Sequence, residues 1–338
     1  MTLRVAMISS ISWRTPPRAY GPWELVTSLL TEALVKRGVD VTLFATLDSI
    51  TAAKLDGKAP HGYSEGEGLD AKVWETLHFA HAFERAADFD VIHNQADFPP
   101  LGFSRLVDTP MVTTIHGFGS DRILPVYEEY DDRVAYVSIS DTDRAASLTY
   151  AATIHHGIPL DDFPFDSDGS DDLLFFGRIH PDKGAGEAIR AAKAADRCLI
   201  LYGLVQDEGY HQREVEPFVD GEGVDYRGVV GGQERLDALG KARGLLHLIG
   251  FDEPFGLSVI EAMACGTPVI AYNRGSMPEL IEHGVTGFLV DTLDEAVAAI
   301  DRLGEIDRRA CRDAVARRFS VERMADDYLA LYQRMIGA

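Results

Sequence analysis

Two glutamates stand eight positions apart in the stretch FDEPFGLSVIEAMACGTPVIA, residues 251–271. Pro254-Phe255-Gly256 predicts a turn, and Leu257–Ala264 predicts a helix closed by Gly266 and Pro268. Backbone N–H groups at such a helix start form an anion site. Glu253 lies just before it and Glu261 about one turn inside. At ~1.5 Å per residue, a fully helical stretch would hold the two carboxylates on the order of 12 Å apart, roughly the span from a hexose across a diphosphate to a ribose. An ionised carboxylate accepts from vicinal hydroxyls, two at a time. The motif therefore suits a nucleotide-sugar, with hydroxyls at each end and phosphates on the helix start between them. On spacing alone, a surface glutamate and a helix-capping glutamate account for the pattern slightly better, and that alternative stays open.

A second stretch shifts the balance. FFGRIHPDKGAGEAI, residues 175–189, ends a strand, turns at Gly177-Arg178 and begins a helix at Lys183-Gly184. Arg binds phosphate oxygens in bidentate fashion and Lys acts as a point charge. Together they would neutralise the charge that builds on a departing diphosphate. Solvated loop charges are the plain alternative, and the strand-to-helix turn favours the functional one. The net charge of −22 over 338 residues excludes nucleic acid or an anionic membrane surface as the general partner. An anionic ligand must then be met by a few local basic residues.

These side chains need elements to position them. Short apolar runs recur at Val5–Ser9, Val41–Ala45, Val91–His93, Met111–Thr114, Ala135–Ile139, Leu173–Phe176, Leu199–Leu201, Leu245–Ile249 and Val269–Ala271, with helical patterns between them. Alternating strands and helices predict an α/β protein of two doubly wound domains with parallel sheets, facing an interdomain cleft. The break is expected within IPLDDFPFDSDGSDD, residues 158–172, which carries no apolar periodicity. Ligands of such sheets sit beyond the carboxyl ends of the strands. The last segment, 320–335, has Met324, Tyr328, Leu331, Tyr332 and Met335 at helical spacing, with Ser320 as N-cap.

Arg178 and Lys183-Gly184, followed by E253-P-F-G-L-S-V-I-E261-A-M-A-C-G-T-P-V-I, resemble the donor-binding half of family 4 retaining glycosyltransferases. The resemblance continues through PELIEHGVTGFLV, residues 278–290, and covers PPRAYGPWELVTSLLTEALVKRGVDVTLF, residues 16–44, and VTTIHGF, residues 112–118. Nearly the whole chain is included. The resemblance implies a GT-B fold of two Rossmann-like domains: an acceptor-binding domain over 1–160, a nucleotide-sugar-binding domain over 161–318, and a C-terminal helix over 319–338 that crosses back to the first. It implies that Arg178 and Lys183 bind the diphosphate, that Glu253 contacts the transferred sugar, and that Glu261 holds the ribose. It also implies that Phe255, Gly256, Leu257 and Ser258 turn their backbone to sugar and phosphate. His116 would stand near the reaction centre, and Gly21 near the phosphates and acceptor. Family members often carry Gly-Gly in the first loop; here Gly21 is followed by Pro22-Trp23. Proline is well tolerated at N1, so the helix start survives with one donor fewer. They also often carry Pro-Ser before the acidic motif, where this chain reads HLIGFDEPFG, residues 247–256, a change that touches the nucleoside side of the pocket.

The family reading predicts transfer of a hexose with retention, GDP-mannose ahead of UDP-glucose as donor, and no metal or other cofactor. No basic amphipathic run is found of the kind that membrane-acting relatives carry, so a soluble saccharide or small glycoside is the expected acceptor. Tyr20 and Trp23 are acceptor-site candidates, with core packing an equal alternative. A nucleotide-sugar-binding regulatory module without turnover, or another GT-B enzyme such as an epimerase, remains an alternative. So does a homodimer. Asp88-Phe89-Asp90 has the form of a DxD metal motif, but three residues match by chance often, and the end of a helix before the strand at Val91 is the better reading. His155-His156 lack a third ligand at metal spacing. His78 and His81 read as packing or surface residues. The opening residues are too short and polar for a signal peptide, no apolar run spans a bilayer, and Cys198, Cys265 and Cys311 are widely spaced and odd in number. A cytoplasmic protein without stable membrane insertion is expected.

Overall fold

The computed structural model describes residues 2–18, 20–117 and 121–337. The chain divides into two compact units, Met1–Gly157 with Val321–Ala338, and Ile158–Ser320.

In the first unit, β1 (Arg4–Ile8), β2 (Asp40–Phe44), β3 (Lys54–Asp56), β4 (Val91–Asn94), β5 (Met111–Ile115), β6 (Val134–Ser138) and β7 (Tyr150–Thr153) form one parallel sheet in the order β3-β2-β1-β4-β5-β6-β7. Its central strands are almost wholly buried, as a parallel sheet covered on both faces demands, and this is why RVAMI and MVTTI read as near-continuous apolar runs. Phe44, Phe79, Phe83, Phe89, Tyr127 and Tyr136 belong to the core on one side. The helix Pro22–Lys36 starts with Pro22 in its first turn, and Arg37 just beyond its end bonds Asp326 at 2.6 Å. Asp326 lies on the closing helix Val321–Gly337, which buries Met324, Tyr328, Leu331 and Tyr332. The apolar spacing that predicted this helix is the stripe it buries, except at Met335, which stays half-buried.

In the second unit, β8 (Leu173–Phe176), β9 (Leu199–Tyr202), β10 (Val224–Tyr226), β11 (Gly244–His247), β12 (Val269–Tyr272) and β13 (Gly287–Val290) pair in parallel in the order β10-β9-β8-β11-β12-β13. The helix Leu257–Ala264 begins and ends as the sequence predicts, and its Val259, Ile260, Ala262 and Met263 are fully buried. It does not extend back to Glu253. The spacing estimate for a continuous helix therefore does not apply, because Pro254 to Gly256 form a loop.

The strand order of each unit reverses once, between β1 and β4 and between β8 and β11. Loops leaving two such strands part to opposite sides, and the crevice between them is where ligands of doubly wound sheets bind. Among the described residues, no helix is long and apolar enough to cross a membrane.

Candidate functional site

Loops beyond β8 and β11 flank the reversal point of the second sheet. After β8 the chain turns through Gly177-Arg178 into a short helical turn, Pro181–Lys183. Gly184 then takes the left-handed conformation, φ 75°, before the helix Ala185–Ala194. A Cβ at Gly184 would lie 1.9 Å from the carbonyl oxygen of Leu248, so only glycine lets the loop after β8 press on the one after β11. That approach delivers Lys183. Its Nζ donates to Oε2 of Glu253 at 2.5 Å and lies 4.7 Å from the Phe251 ring centre.

Glu253 is held from behind. A Cβ at Gly275, φ 53°, would stand 2.5 Å from the Glu253 nitrogen, and the Ser276 N–H donates to the Glu253 carbonyl at 3.0 Å. The Ser276 hydroxyl donates to the Phe255 carbonyl. Phe255 buries its ring against Phe319, so this residue offers the site main chain rather than side chain. Gly256 precedes the helix, whose start carries no side-chain cap, and Leu257 and Ser258 are half-buried there. Beneath this loop, burial pushes His247 down to about 4, with Glu253 and Lys183 exerting opposite and smaller pulls.

Glu261 is 5% exposed in the middle of an otherwise apolar helix. Filling that position with Leu or Ile would gain roughly 1.5–3 kcal/mol of burial, so a carboxylate there stands against packing. Its partner is Arg235, on the helix Gly232–Lys241, which ion-pairs with Oε2 of Glu261. The same guanidinium lies 5.3 Å from the centre of the Phe176 ring, at the end of β8. Burial raises the Glu261 carboxyl, and Arg235 pulls it back down. Arg235 was missed in the sequence because nothing in GGQERLDAL marks one polar residue of an exposed helix from another. Arg178 is turned toward Gln206, donating to its side-chain oxygen. Lys183 and Glu253 are thus in contact, whereas the second carboxylate is joined to a different cation.

The remaining candidates lie in the first unit. Gly21 precedes the helix Pro22–Lys36 and packs over Glu24, which is 2% exposed and whose Oε1 accepts from the Trp13 N–H at 3.3 Å. Trp23 stacks on His116, ring centres 5.5 Å apart and planes 20° from parallel. Tyr20 is exposed and meets Trp13 edge-on. His116 follows β5 directly, and its Nε2 contacts Oε1 of Gln95 at 2.6 Å. Burial pushes His116 down to about 3, which keeps it neutral. Phe118, in the same motif, lies outside the described residues.

The other acidic and histidine patterns have ordinary partners. Asp90 pairs with Arg4 at 2.6 Å and Asp88 with Arg85 at 3.1 Å. His81 bonds Asp56 at 2.8 Å, and His78 donates from Nε2 to the Ser9 carbonyl at 3.0 Å.

Two family descriptions match the chain in succession: Glycosyltransferase Family 4 over residues 24–161 and Glycosyl transferases group 1 over residues 161–317. Among curated relatives, a D-inositol 3-phosphate glycosyltransferase of Mycobacterium marinum is 29% identical over 290 residues, 77% of this chain and 59% of the relative. The chain spans between 45% and 59% of the length of the first curated relatives it matches. Among solved structures, sucrose-phosphate synthase of Thermosynechococcus elongatus superposes with a TM-score of 0.81 at 21% identity, covering 99% of both chains. HepE of Anabaena, solved with UDP and glucose, superposes with a TM-score of 0.74 at 17% identity, covering 98% of this chain and 99% of that one.

Proposed function

Since the chain belongs to the group 1, family 4 glycosyltransferases and has their GT-B fold, we propose that it moves a hexose from a nucleotide-sugar to a soluble saccharide or small glycoside, with retention at the anomeric carbon. The observation that carries this reading is the convergence of Lys183 and Glu253 at the reversal point of the second sheet, beside an uncapped helix start. A cation for phosphate, an acceptor for sugar hydroxyls and a helix N-terminus are the parts a diphosphate-linked sugar requires.

In this reading Arg178 and Lys183 bind the diphosphate and neutralise it as it departs, helped by the N–H groups after Gly256. Glu253 accepts from the hexose and Glu261 from the ribose. His116 holds a sugar hydroxyl, and Gly21, Tyr20 and Trp23 line the acceptor side. Retention follows from same-face attack, in which the leaving phosphate takes the acceptor proton; the covalent route requires a carboxylate close to the anomeric carbon. Fixed positive charge does the work of a metal ion.

HepE was solved with UDP and glucose, which supports testing UDP-glucose beside GDP-mannose at the head of a donor panel. The inositol phosphate named in the curated relatives supports a small polyol acceptor. All three cysteines are free, in keeping with a protein of the reducing cytoplasm. Incubation of the purified protein with a panel of nucleotide-sugars, following release of nucleoside diphosphate, tests the proposal. Binding of diphosphate without hydrolysis or transfer for any donor and acceptor would favour a regulatory module instead.

A further inference from the structure

A line of buried side chains runs through the first unit to His116. The Tyr332 hydroxyl meets Nδ1 of His93 at 2.6 Å. Nε2 of His93 meets the Thr114 hydroxyl at 2.8 Å and Nε2 of Gln95 at 3.1 Å. Oε1 of Gln95 meets Nε2 of His116 at 2.6 Å. The Thr114 hydroxyl reaches Tyr328 at 2.7 Å. His93, Gln95 and Tyr332 are wholly inaccessible to solvent.

The protons in this line follow from the chemistry of each group. An amide nitrogen only donates and an amide oxygen only accepts. Burial pushes both His93 and His116 down to about 3, so each ring carries one proton. Since the Gln95 nitrogen donates to Nε2 of His93, the His93 proton sits on Nδ1 and is donated to the Tyr332 oxygen. Since the Gln95 oxygen accepts, the His116 proton sits on Nε2. The Thr114 hydroxyl donates to His93 and accepts from Tyr328. Nδ1 of His116 then carries the lone pair, and it meets Nε2 of His156 in a longer hydrogen bond of 3.4 Å, which a sugar hydroxyl would replace. Apolar side chains would fill this interior without the desolvation that polar groups carry, so a connected polar line is better explained by the orientation it imposes.

We infer that Gln95 is a positioning residue that fixes the His116 proton on Nε2, making Nδ1 an obligate acceptor for a sugar hydroxyl, and that the C-terminal helix holds Gln95 in this orientation through Tyr332 and His93. The inference rests on the reading of His116 as a sugar-binding residue. The helix that carries Tyr332 begins at Val321, one residue after the second unit ends at Ser320.

Among the described residues, His93 on β4 and His156 beyond β7 interact electrostatically with His116, and His155 and Arg323 with His156. None is an acid that would draw a second proton onto the ring. Gln95→Glu supplies one. Its carboxylate still accepts from Nε2–H, yet it favours the imidazolium, whose Nδ1 donates and cannot accept. The test uses the full chain labelled with ¹⁵N-histidine. Long-range ¹H–¹⁵N spectra, assigned through loss of the His116 signals in His116→Ala, should give the Nε2–H form. Gln95→Leu should give mixed tautomers and lower kcat/KM on the order of tenfold, the worth of one sugar hydrogen bond. Gln95→Glu should lose activity steeply between pH 8 and pH 6, a range over which the unmodified protein stays flat. Tyr332→Phe should shift the tautomer in the same direction as Gln95→Leu. An Nδ1–H tautomer in the unmodified protein would overturn the inference. So would a flat profile for Gln95→Glu while His116→Ala has lost transfer. Normal transfer by His116→Ala would instead sink the sugar-binding reading, and the role given to Nδ1 with it.

Discussion

Lys183 donates from Nζ to Oε2 of Glu253 at 2.5 Å, although the two residues lie 70 positions apart in the chain. Each side chain is only 17% exposed. A diphosphate-sugar would have to exchange this contact for two others: ammonium to phosphate, carboxylate to sugar hydroxyl. The phosphate contact strengthens as the leaving group gains charge, which is the condition for an interaction to raise turnover. Lys183→Ala should therefore reduce kcat by ~10²–10³ at saturating donor. Lys183→Ala should leave the far-ultraviolet circular dichroism unchanged, since the loop it stands on is fixed by Gly184 and not by its side chain. Steady-state kinetics with the preferred donor checks this, and an unchanged kcat would remove Lys183 from the diphosphate site.

The two glutamates should fail in different ways. Glu261→Ala should weaken calorimetric binding of free nucleoside diphosphate, because the ribose hydroxyls lose their acceptor. Glu253→Ala should leave that binding nearly intact and cut transfer instead. Equal losses of diphosphate affinity in both variants would end the division between sugar and ribose.

Arg235 extends the same argument. Burial leaves the Glu261 carboxyl raised, and Arg235 offsets part of that rise. In Arg235→Leu the burial acts alone, the carboxyl titrates at higher pH, and its neutral form is the poorer acceptor. Diphosphate affinity in this variant should weaken as the pH falls, beginning at a higher pH than in the unmodified protein. Combining Arg235→Leu with Glu261→Ala should abolish the pH dependence, as titration calorimetry at several pH values would establish.

The limits of the sequence follow the edges of the sheets. The nine strands read from apolar runs include every interior strand of both sheets, because burial on both faces demands continuous apolar residues. The four not read, Lys54–Asp56, Tyr150–Thr153, Val224–Tyr226 and Gly287–Val290, are the four edge strands. Three of these, KLD, YAAT and VDY, are short and partly exposed, so little apolar pattern marks them. At the site, the glycines and charges of the strand-to-helix turns were legible because their types are rare in such places. Arg235, Gln95 and His93 were not. Their meaning lies in partners 26, 21 and 239 residues away, which no local pattern encodes.

Acid should destabilise the fold through its buried histidines. His78 stands at about 4 against an ordinary 6.5, lowered chiefly by burial. Its folded value is depressed, so below pH 6.5 the unfolded chain binds a proton that the folded chain refuses. The stability is fully present above 6.5 and is lost as the pH falls toward the folded value. Between pH 6.5 and 5 this amounts to roughly 2 kcal/mol for a group of this kind. His78→Gln keeps an N–H for the Ser9 carbonyl and removes the titration. Its urea-unfolding free energy should therefore fall less steeply with pH, by about one proton in the slope, than that of the unmodified protein. Parallel slopes would show that His78 takes up its proton in the folded state as readily as in the unfolded one.

Activity should persist in excess EDTA. The net charge of −22 makes this test informative, since such a surface concentrates divalent cations whether or not they act. A metal-dependent reaction needs ligands that grip both protein and diphosphate. The pattern of that form beside a sheet strand, Asp88 and Asp90, has its carboxylates paired with Arg85 and Arg4. The proposed site relies instead on charges that are covalently part of the chain: Arg178, Lys183 and the helix start after Gly256. These cannot be removed by a chelator. Chelation should then lower the rate by less than about half, a change of under ~0.5 kcal/mol in the barrier. Measuring initial rates with and without EDTA, then adding Mg²⁺ or Mn²⁺, distinguishes the two cases. Complete loss that either ion restores would mean that Arg178 and Lys183 do not suffice to neutralise the leaving diphosphate, and would return attention to the paired aspartates.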